Sequence, residues 1–153
     1  MKQLHEKVIN FFRDQGCVVI STIDQHGFPH SSCKDIIKIE NSGKAYLLDA
    51  YRGKTYENLK NNPKASITAF DEHKFTGFCL KGEARLVSSA DFGDETVKAW
   101  EDKITSRLTR RLLKNVLEEK GHPAHPEASL PKPQNMIVFE AEEIVDLTPY
   151  NLR

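Results

Sequence analysis

The sequence has few cysteines and no excess of charge of either sign. Its three cysteines, Cys17, Cys33 and Cys79, are widely spaced and form no CxxC pattern. This argues against a disulfide framework and against a structural zinc site, so we expect three reduced, buried thiols. Lys plus Arg and Asp plus Glu both number 22. Without a net charge, no overall field draws the protein to nucleic acid or to an anionic membrane, and any anion site must be local.

Sequence signals of several other protein classes are missing as well. No apolar run approaches the span of a bilayer, and the charged start MKQLHEK lacks the apolar core of a signal peptide. There is no GxxxxGK[ST] loop and no GxGxxG after a strand, which removes the common nucleotide-binding signatures. We therefore expect a soluble, cytoplasmic protein whose 153 residues form a single domain, 1–153.

Hydrophobic periodicity predicts an N-terminal helix followed by β-strands. The helix carries its apolar residues on one face and ends near Gly16, a typical C-terminal cap. The predicted strands cover residues 17–23, 31–39, 45–48, 65–70 and 77–87, with closing strands at 136–139 and 144–147. Successive strands joined by short turns indicate a mainly β protein, in which six or so antiparallel strands curl into a barrel. A helical insertion after the core strands extends to Glu119.

The stretch from Tyr46 to Asp71 combines a strand, a basic turn and a short helix over residues 54–61. At the start of this helix, Arg52, Lys54 and Thr55 place two cations and a hydroxyl around unpaired backbone N–H groups. Such an arrangement suits a phosphate. The alternative interpretation is a solvated basic turn.

Other reactive side chains give weaker signals. His122 and His125 precede Glu127, but their spacing matches no standard ligand pattern, so we predict no metal site. Cys33 lies beside Lys34, and a nearby cation lowers a thiol pKa, yet one such neighbour is common by chance. We therefore nominate no side chain as a catalytic residue.

Three segments carry a resemblance to a known family: VVISTIDQHGFPHSSCK, YLLDAYRGKTYENLKNNPKASITAFD and CLKGEARLV. Together they span roughly residues 17–87 and resemble the pyridoxamine 5′-phosphate oxidase-like family of FMN-binding split barrels. The resemblance implies a split β-barrel that binds FMN. It also implies a homodimer with the cofactor at the subunit interface and therefore two equivalent sites.

The resemblance also implies which residues of this chain bind FMN. Backbone groups along one strand would edge the flavin ring, with two residues of the next strand lining the same cavity: Ser31, Ser32, Cys33 and Lys34, then Leu48 and Asp49. The basic pair that binds the phosphate in the family aligns with Lys54 and Thr55, so a hydroxyl replaces the second cation. Arg52 could restore that charge, because its planar fork can grip a phosphate.

The end of the chain bears on the activity that the resemblance implies. The oxidase itself holds pyridoxamine phosphate through a basic and aromatic C-terminal segment, whereas this chain ends IVDLTPYNLR. We therefore expect an oxidoreductase or electron-transfer flavoprotein with a small-molecule redox partner rather than a pyridoxamine phosphate oxidase. Similar nitroimidazole-resistance proteins represent one such activity class. The alternative is a flavin-free dimeric binding or sensor protein that uses the barrel for haem or a deazaflavin.

Overall fold

The computed structural model describes residues 2–15, 17–118 and 133–152. Three sequence predictions depended on residues that lie outside the described ones: Gly16, Glu119 and the histidines of the proline-rich segment. The helices are α1 (Glu6–Asp14), α2 (Lys54–Asn61) and α3 (Asp94–Glu118). The strands are β1 (Val18–Ile23), β2 (Pro29–Ile39), β3 (Lys44–Asp49), β4 (Lys64–Asp71), β5 (Thr76–Ser88) and β6 (Asn135–Asp146). Single 3₁₀ turns follow β5 and β6.

The six strands form a closed barrel in the order β1-β2-β3-β6-β5-β4, and every neighbouring pair is antiparallel. This confirms the predicted mainly β fold. The prediction of two closing strands was wrong in one respect. Both predicted segments, 136–139 and 144–147, belong to the single strand β6. The middle residues of β6, Glu140 and Ala141, pair with β5. These backbone hydrogen bonds keep the polar middle of β6 extended.

Alternation of side chains along the strands fills the barrel. Val18, Ile20 and Thr22 of β1 are buried, whereas Val19 between them is 38% exposed. The opposite walls contribute large side chains that solvent does not reach: Leu47, Ile67, Leu80, Ile137 and Phe139. The interior is therefore packed with side chains, as expected of a small barrel.

Helix α1 covers part of this core with its apolar face. Val8, Ile9 and Phe12 are buried, as the periodicity predicts. Phe11 is half-buried and makes an edge-to-face contact with Phe78 of β5, with ring centroids 5.2 Å apart.

The cysteines are free thiols, but the prediction that they are buried was wrong. Cys17 and Cys33 are exposed and Cys79 is half-buried. The apolar run that contains Cys17 alternates between the inner and outer faces of the barrel, and Cys33 lies on the outer face of β2 opposite Val19. Hydrophobic neighbours in sequence therefore do not bury these thiols.

Gly82 marks a bulge in β5, as the sequence predicts. The register of β5 against β6 shifts between Lys81 and Gly82. A Cβ added to Gly82 would overlap the backbone carbonyl of Glu140. The close approach of the two strands at this bulge therefore requires glycine.

The chain divides into two compact units. One unit comprises Met1–Ser89 with Pro133–Arg153 and contains the barrel, α1 and α2. The other, Ala90–Lys132, contains α3, the predicted helical insertion. None of the helices in the described residues is both long and apolar enough to cross a membrane. The assignment of residues 1–153 to one domain stays a prediction.

Candidate functional site

Helix α2 begins immediately after the end of β3 and presents an open N-terminus. Gly53 is the N-cap residue, and its carbonyl accepts a hydrogen bond from the Glu57 N–H at 3.2 Å. Gly53 has no side chain to accept hydrogen bonds from the first turn, and the space where a Cβ would lie is open. The amides of that turn therefore point toward a region that an anion can occupy.

Two exposed cations, Arg52 and Lys54, flank this helix start. The Arg52 guanidinium lies over the ring of Tyr56, 5.5 Å from its centroid. Across from them, Asp24 in the β1–β2 turn accepts hydrogen bonds from the N–H groups of Phe28 and His26. The Phe28 N–H bond is the largest cause that lowers the pKa of Asp24, and the charge of Lys54 also contributes.

The third predicted phosphate ligand, Thr55, points into the protein. Thr55 is 2% exposed, and its Oγ1 lies 2.8 Å from the Ser32 Oγ of β2. One turn later, the buried Asn58 amide donates to the Thr22 hydroxyl of β1 at 2.9 Å. These two contacts fix α2 against the barrel, and neither was anticipated from the sequence. The exposed side chains available to an anion at this helix start are therefore Arg52 and Lys54.

The four residues predicted to edge a flavin ring divide between the two faces of β2. Ser32 and Lys34 share the inner face, where their strand partners are Ile20 and Val18. Ser31 lies on the outer face, and its hydroxyl is 2.8 Å from that of Ser21. Cys33 shares this outer face because side chains alternate along a strand. On β3, Leu48 is buried at 6% exposure.

Lys34 and Asp49 form an ion pair at the rim of the barrel. Lys34 Nζ lies 2.6 Å from Asp49 Oδ1, with side-chain exposures of 14% and 0%. Asp49 is the last residue of β3, and its strand partner is Asn135, the first residue of β6. Burial of a carboxylate at this depth requires such a partner.

Two polar atoms of this rim cluster of Lys34, Asp49 and Asn135 have no hydrogen-bond partner. They are the second carboxylate oxygen of Asp49, Oδ2, and the amide nitrogen of Asn135, Nδ2. Asn135 is 3% exposed, so bulk solvent does not reach its amide. Asn135 was not predicted as a site residue, because it follows the proline-rich segment and belongs to no motif. Among the described residues, no group of three or more His, Cys, Asp or Glu could hold a metal ion.

Solved structures of other proteins share this fold at low sequence identity. HupZ from Group A Streptococcus is 16% identical, with 95% of this chain and 94% of that chain covered and a TM-score of 0.64. An FMN-binding protein from Syntrophomonas wolfei is 14% identical, with coverages of 94% and 86% and a TM-score of 0.61. HutZ, the haem storage protein from Vibrio cholerae, is 14% identical, with coverages of 94% and 94% and a TM-score of 0.56.

A comparison with curated protein sequences gives no match. The family comparison is positive, because the model of the pyridoxamine 5′-phosphate oxidase family matches residues 4–147. This match includes the barrel strands, α2 and the rim cluster. The chain therefore belongs to the pyridoxamine 5′-phosphate oxidase family.

Proposed function

We propose that the protein binds FMN and acts as an oxidoreductase or electron-transfer flavoprotein. The observation that carries this proposal is that β2 joins the start of α2 to the rim of the barrel. Ser32 contacts α2 through Thr55, and Lys34 pairs with Asp49 at the rim. Side chains two residues apart on a strand lie roughly 7 Å apart. A ligand with a phosphate at one end and a polar ring at the other suits this arrangement.

The phosphate would bind at the start of α2. Lys54 and Arg52 would supply two cations, and the first-turn amides would add N–H donors and the positive end of the helix dipole. The Asp24 carboxylate lowers the net positive charge here. Two cations against one carboxylate leave a favourable balance for an anion.

The flavin ring would lie against the rim cluster. The unpaired atoms of Asp49 and Asn135 fit a ring that offers hydrogen-bond donors and acceptors, and the Lys34 ammonium adds a positive charge. FMN, once bound, supplies the redox chemistry. Lys34 would stabilise negative charge on the ring, and Asp49 would hold the ammonium in place while offsetting part of its field.

A second copy of the chain would complete the site. The barrel interior is occupied by side chains such as Leu47, Ile137 and Phe139, so a three-ring cofactor has no room inside it. The ring would lie at the rim, where another subunit can cover it, and a two-fold dimer would contain two such sites. A small molecule would exchange electrons with the bound flavin.

The resemblance to HutZ keeps haem as the rival ligand. Haem needs an axial ligand from the protein, and among the described residues His30 of β2, the strand partner of Thr22, is the candidate.

The absorption spectrum of the purified protein, before and after titration with FMN, tests this proposal. We expect flavin absorption bands that stop growing once one FMN is bound per chain, and we expect heating to release the FMN. A protein that takes up no FMN but gains a Soret band with haem would overturn the proposal. If haem does bind, His30→Ala should remove the Soret band; FMN binding should be the same in this variant as in the wild type.

A further inference from the structure

Side chains that point outward from five neighbouring strands of the barrel lie in two rows across β2, β1, β4, β5 and β6. The first row runs Cys33, Val19, Thr68, Cys79 and Val145, and the second runs Ser31, Ser21, Ser66, Lys81 and Glu143. Charge enters these rows at the far end of the second, where Lys81 pairs with Glu143. The remaining outward residues of β2, β1, β4 and β5 in these rows form an uncharged surface, which we call the β1 face: Cys33, Val19, Thr68, Cys79, Ser31, Ser21 and Ser66.

The lack of charge distinguishes the β1 face from other parts of the outer surface. Outer faces of antiparallel strands normally carry polar and charged side chains. This barrel follows that rule elsewhere, because Lys64 pairs with Glu83 and Lys44 pairs with Glu140 across neighbouring strands. The β1 face therefore resembles the centre of a protein interface, where charged residues are depleted.

Solvent reaches the β1 face in the single chain. Val19 is 38% exposed and Cys33 is exposed, whereas Thr68 and Cys79 are half-buried. Five strands about 4.8 Å apart make the first row roughly 19 Å wide. A continuous surface of this width, uncharged and exposed at its centre, is typical of a surface that another protein covers.

We propose that the β1 face is the surface through which two copies of this chain associate, an inference that rests on the dimer proposed above. A two-fold axis brings the same surface of each copy together, so a charged side chain near the axis meets a like charge and is repelled. The small, uncharged side chains of the β1 face avoid that repulsion. They also offer no charge that would select a different partner of opposite sign.

Strand β2 connects the β1 face to the proposed FMN site. Ser31 and Cys33 lie on the β1 face, whereas the Ser32 hydroxyl between them contacts Thr55 at the start of α2. A copy docked on the β1 face would therefore border the phosphate site with one strand between them. This places the outward Ser31 and Cys33 at a subunit boundary beside the cofactor.

Sedimentation velocity of the full-length protein with excess FMN tests the inference. Val19→Arg introduces like charges into the interface and should raise the dissociation constant of the dimer at least about 100-fold. Val97→Arg is the matched control, because Val97 of α3 is 41% exposed and Val19 is 38% exposed. The control should dimerise like the wild type. Circular dichroism checks that both variants are folded.

A second measurement uses the wild-type protein alone, so it does not depend on the folding of a variant. Cys33 is exposed in the single chain, and a docked copy should shield it from a thiol reagent. A short pulse of iodoacetamide, followed by peptide mass spectrometry, measures the modification of Cys33 above and below the dimer dissociation constant. We expect modification of Cys33 at least about 10-fold slower in the dimer.

The outcomes separate this inference from the proposed function. If Val19→Arg weakens the dimer no more than Val97→Arg does, or if Cys33 reacts equally fast in dimer and monomer, the β1 face is not the interface and FMN binding still stands. A wild-type protein that stays monomeric with FMN bound would overturn both this inference and the shared site. A dimer that Val19→Arg dissociates but that binds no FMN would support the inference and overturn the proposed function.

Discussion

Lys34 and Asp49 join β2 to β3 through an ion pair whose Nζ and Oδ1 atoms are 2.6 Å apart. The carboxylate is fully buried and the lysine is mostly so. A buried pair of this kind contributes little compared with a well-packed apolar pair, but removal of one partner leaves a charge without compensation. The pair is therefore a structural requirement of the rim as well as part of the proposed site.

Replacement of Lys34 with Met should lower the free energy of unfolding by about 3–5 kcal/mol, because Asp49 would remain buried without a cation. The matched control is Lys81→Met. Lys81 pairs with Glu143 at 3.0 Å, but both side chains are more than half exposed, so its loss should cost at most about 1 kcal/mol. Urea denaturation measures both values, and similar losses for the two variants would contradict the prediction.

Replacement of Lys54 with Ala should weaken FMN binding about 10- to 100-fold, since one charge-assisted bond to the phosphate is lost. Riboflavin has no phosphate, so its affinity should change little. Lys60→Ala serves as the control, because Lys60 is an exposed cation near the other end of α2. Calorimetric titration with both ligands gives the comparison. Equal losses for FMN and riboflavin would show that Lys54 does not contact the phosphate.

The pKa of Asp24 should lie below its ordinary value of 3.8 when measured by NMR titration of the side-chain carboxyl. The main cause is the hydrogen bond from the Phe28 N–H. A lowered folded-state pKa means that the ionised carboxylate stabilises the fold above the unfolded-state pKa. This contribution is lost as the pH falls through the folded-state pKa. A measured pKa at or above the ordinary value would refute this account of the turn.

Replacement of Gly82 with Ala should destabilise the barrel by about 1–3 kcal/mol, because the added Cβ meets the Glu140 carbonyl and the backbone must shift. Gly93→Ala is the control, since a Cβ there meets no atom within 4 Å. Thermal unfolding of both variants provides the measurement. If Gly82→Ala unfolds at the wild-type temperature, the bulge tolerates a side chain and its geometry differs from that described.

Dilution should release FMN and dissociate subunits together if the flavin is shared between two copies of the chain. FMN that binds only the assembled dimer strengthens association by linkage. Sedimentation velocity of the apo and FMN-loaded protein over a dilution series measures this. A monomer that retains one FMN would rule out the shared site.

Local pattern was sufficient for most of the secondary structure. The bounds of α2, residues 54–61, were predicted as they are found. The bulge at Gly82 and the buried face of α1 were also predicted. These features depend on residues that are close together in the chain. The spacing of apolar residues indicates which face of a helix or strand is buried, and Gly or Pro marks where regular structure ends.

Local sequence pattern did not determine which residues form the site. Resemblance to a family supplied Lys34 and Asp49, but it could not tell which face of β2 Lys34 and its neighbours occupy. Alternation assigns Ser32 and Lys34 to the inner face, and Ser31 and Cys33 to the outer one, once the pairing with β1 is known.

The sequence by itself determined all the strands except the last, the helix start with its two cations and the resemblance to the family. The tertiary structure alone decided that Asn135 faces Asp49, that Thr55 turns inward to Ser32 and that Asn58 reaches Thr22. The physical reason is that each of these pairs joins residues distant in the chain. Barrel closure sets their register, and a one-residue slip would turn every side chain of a strand to the opposite face.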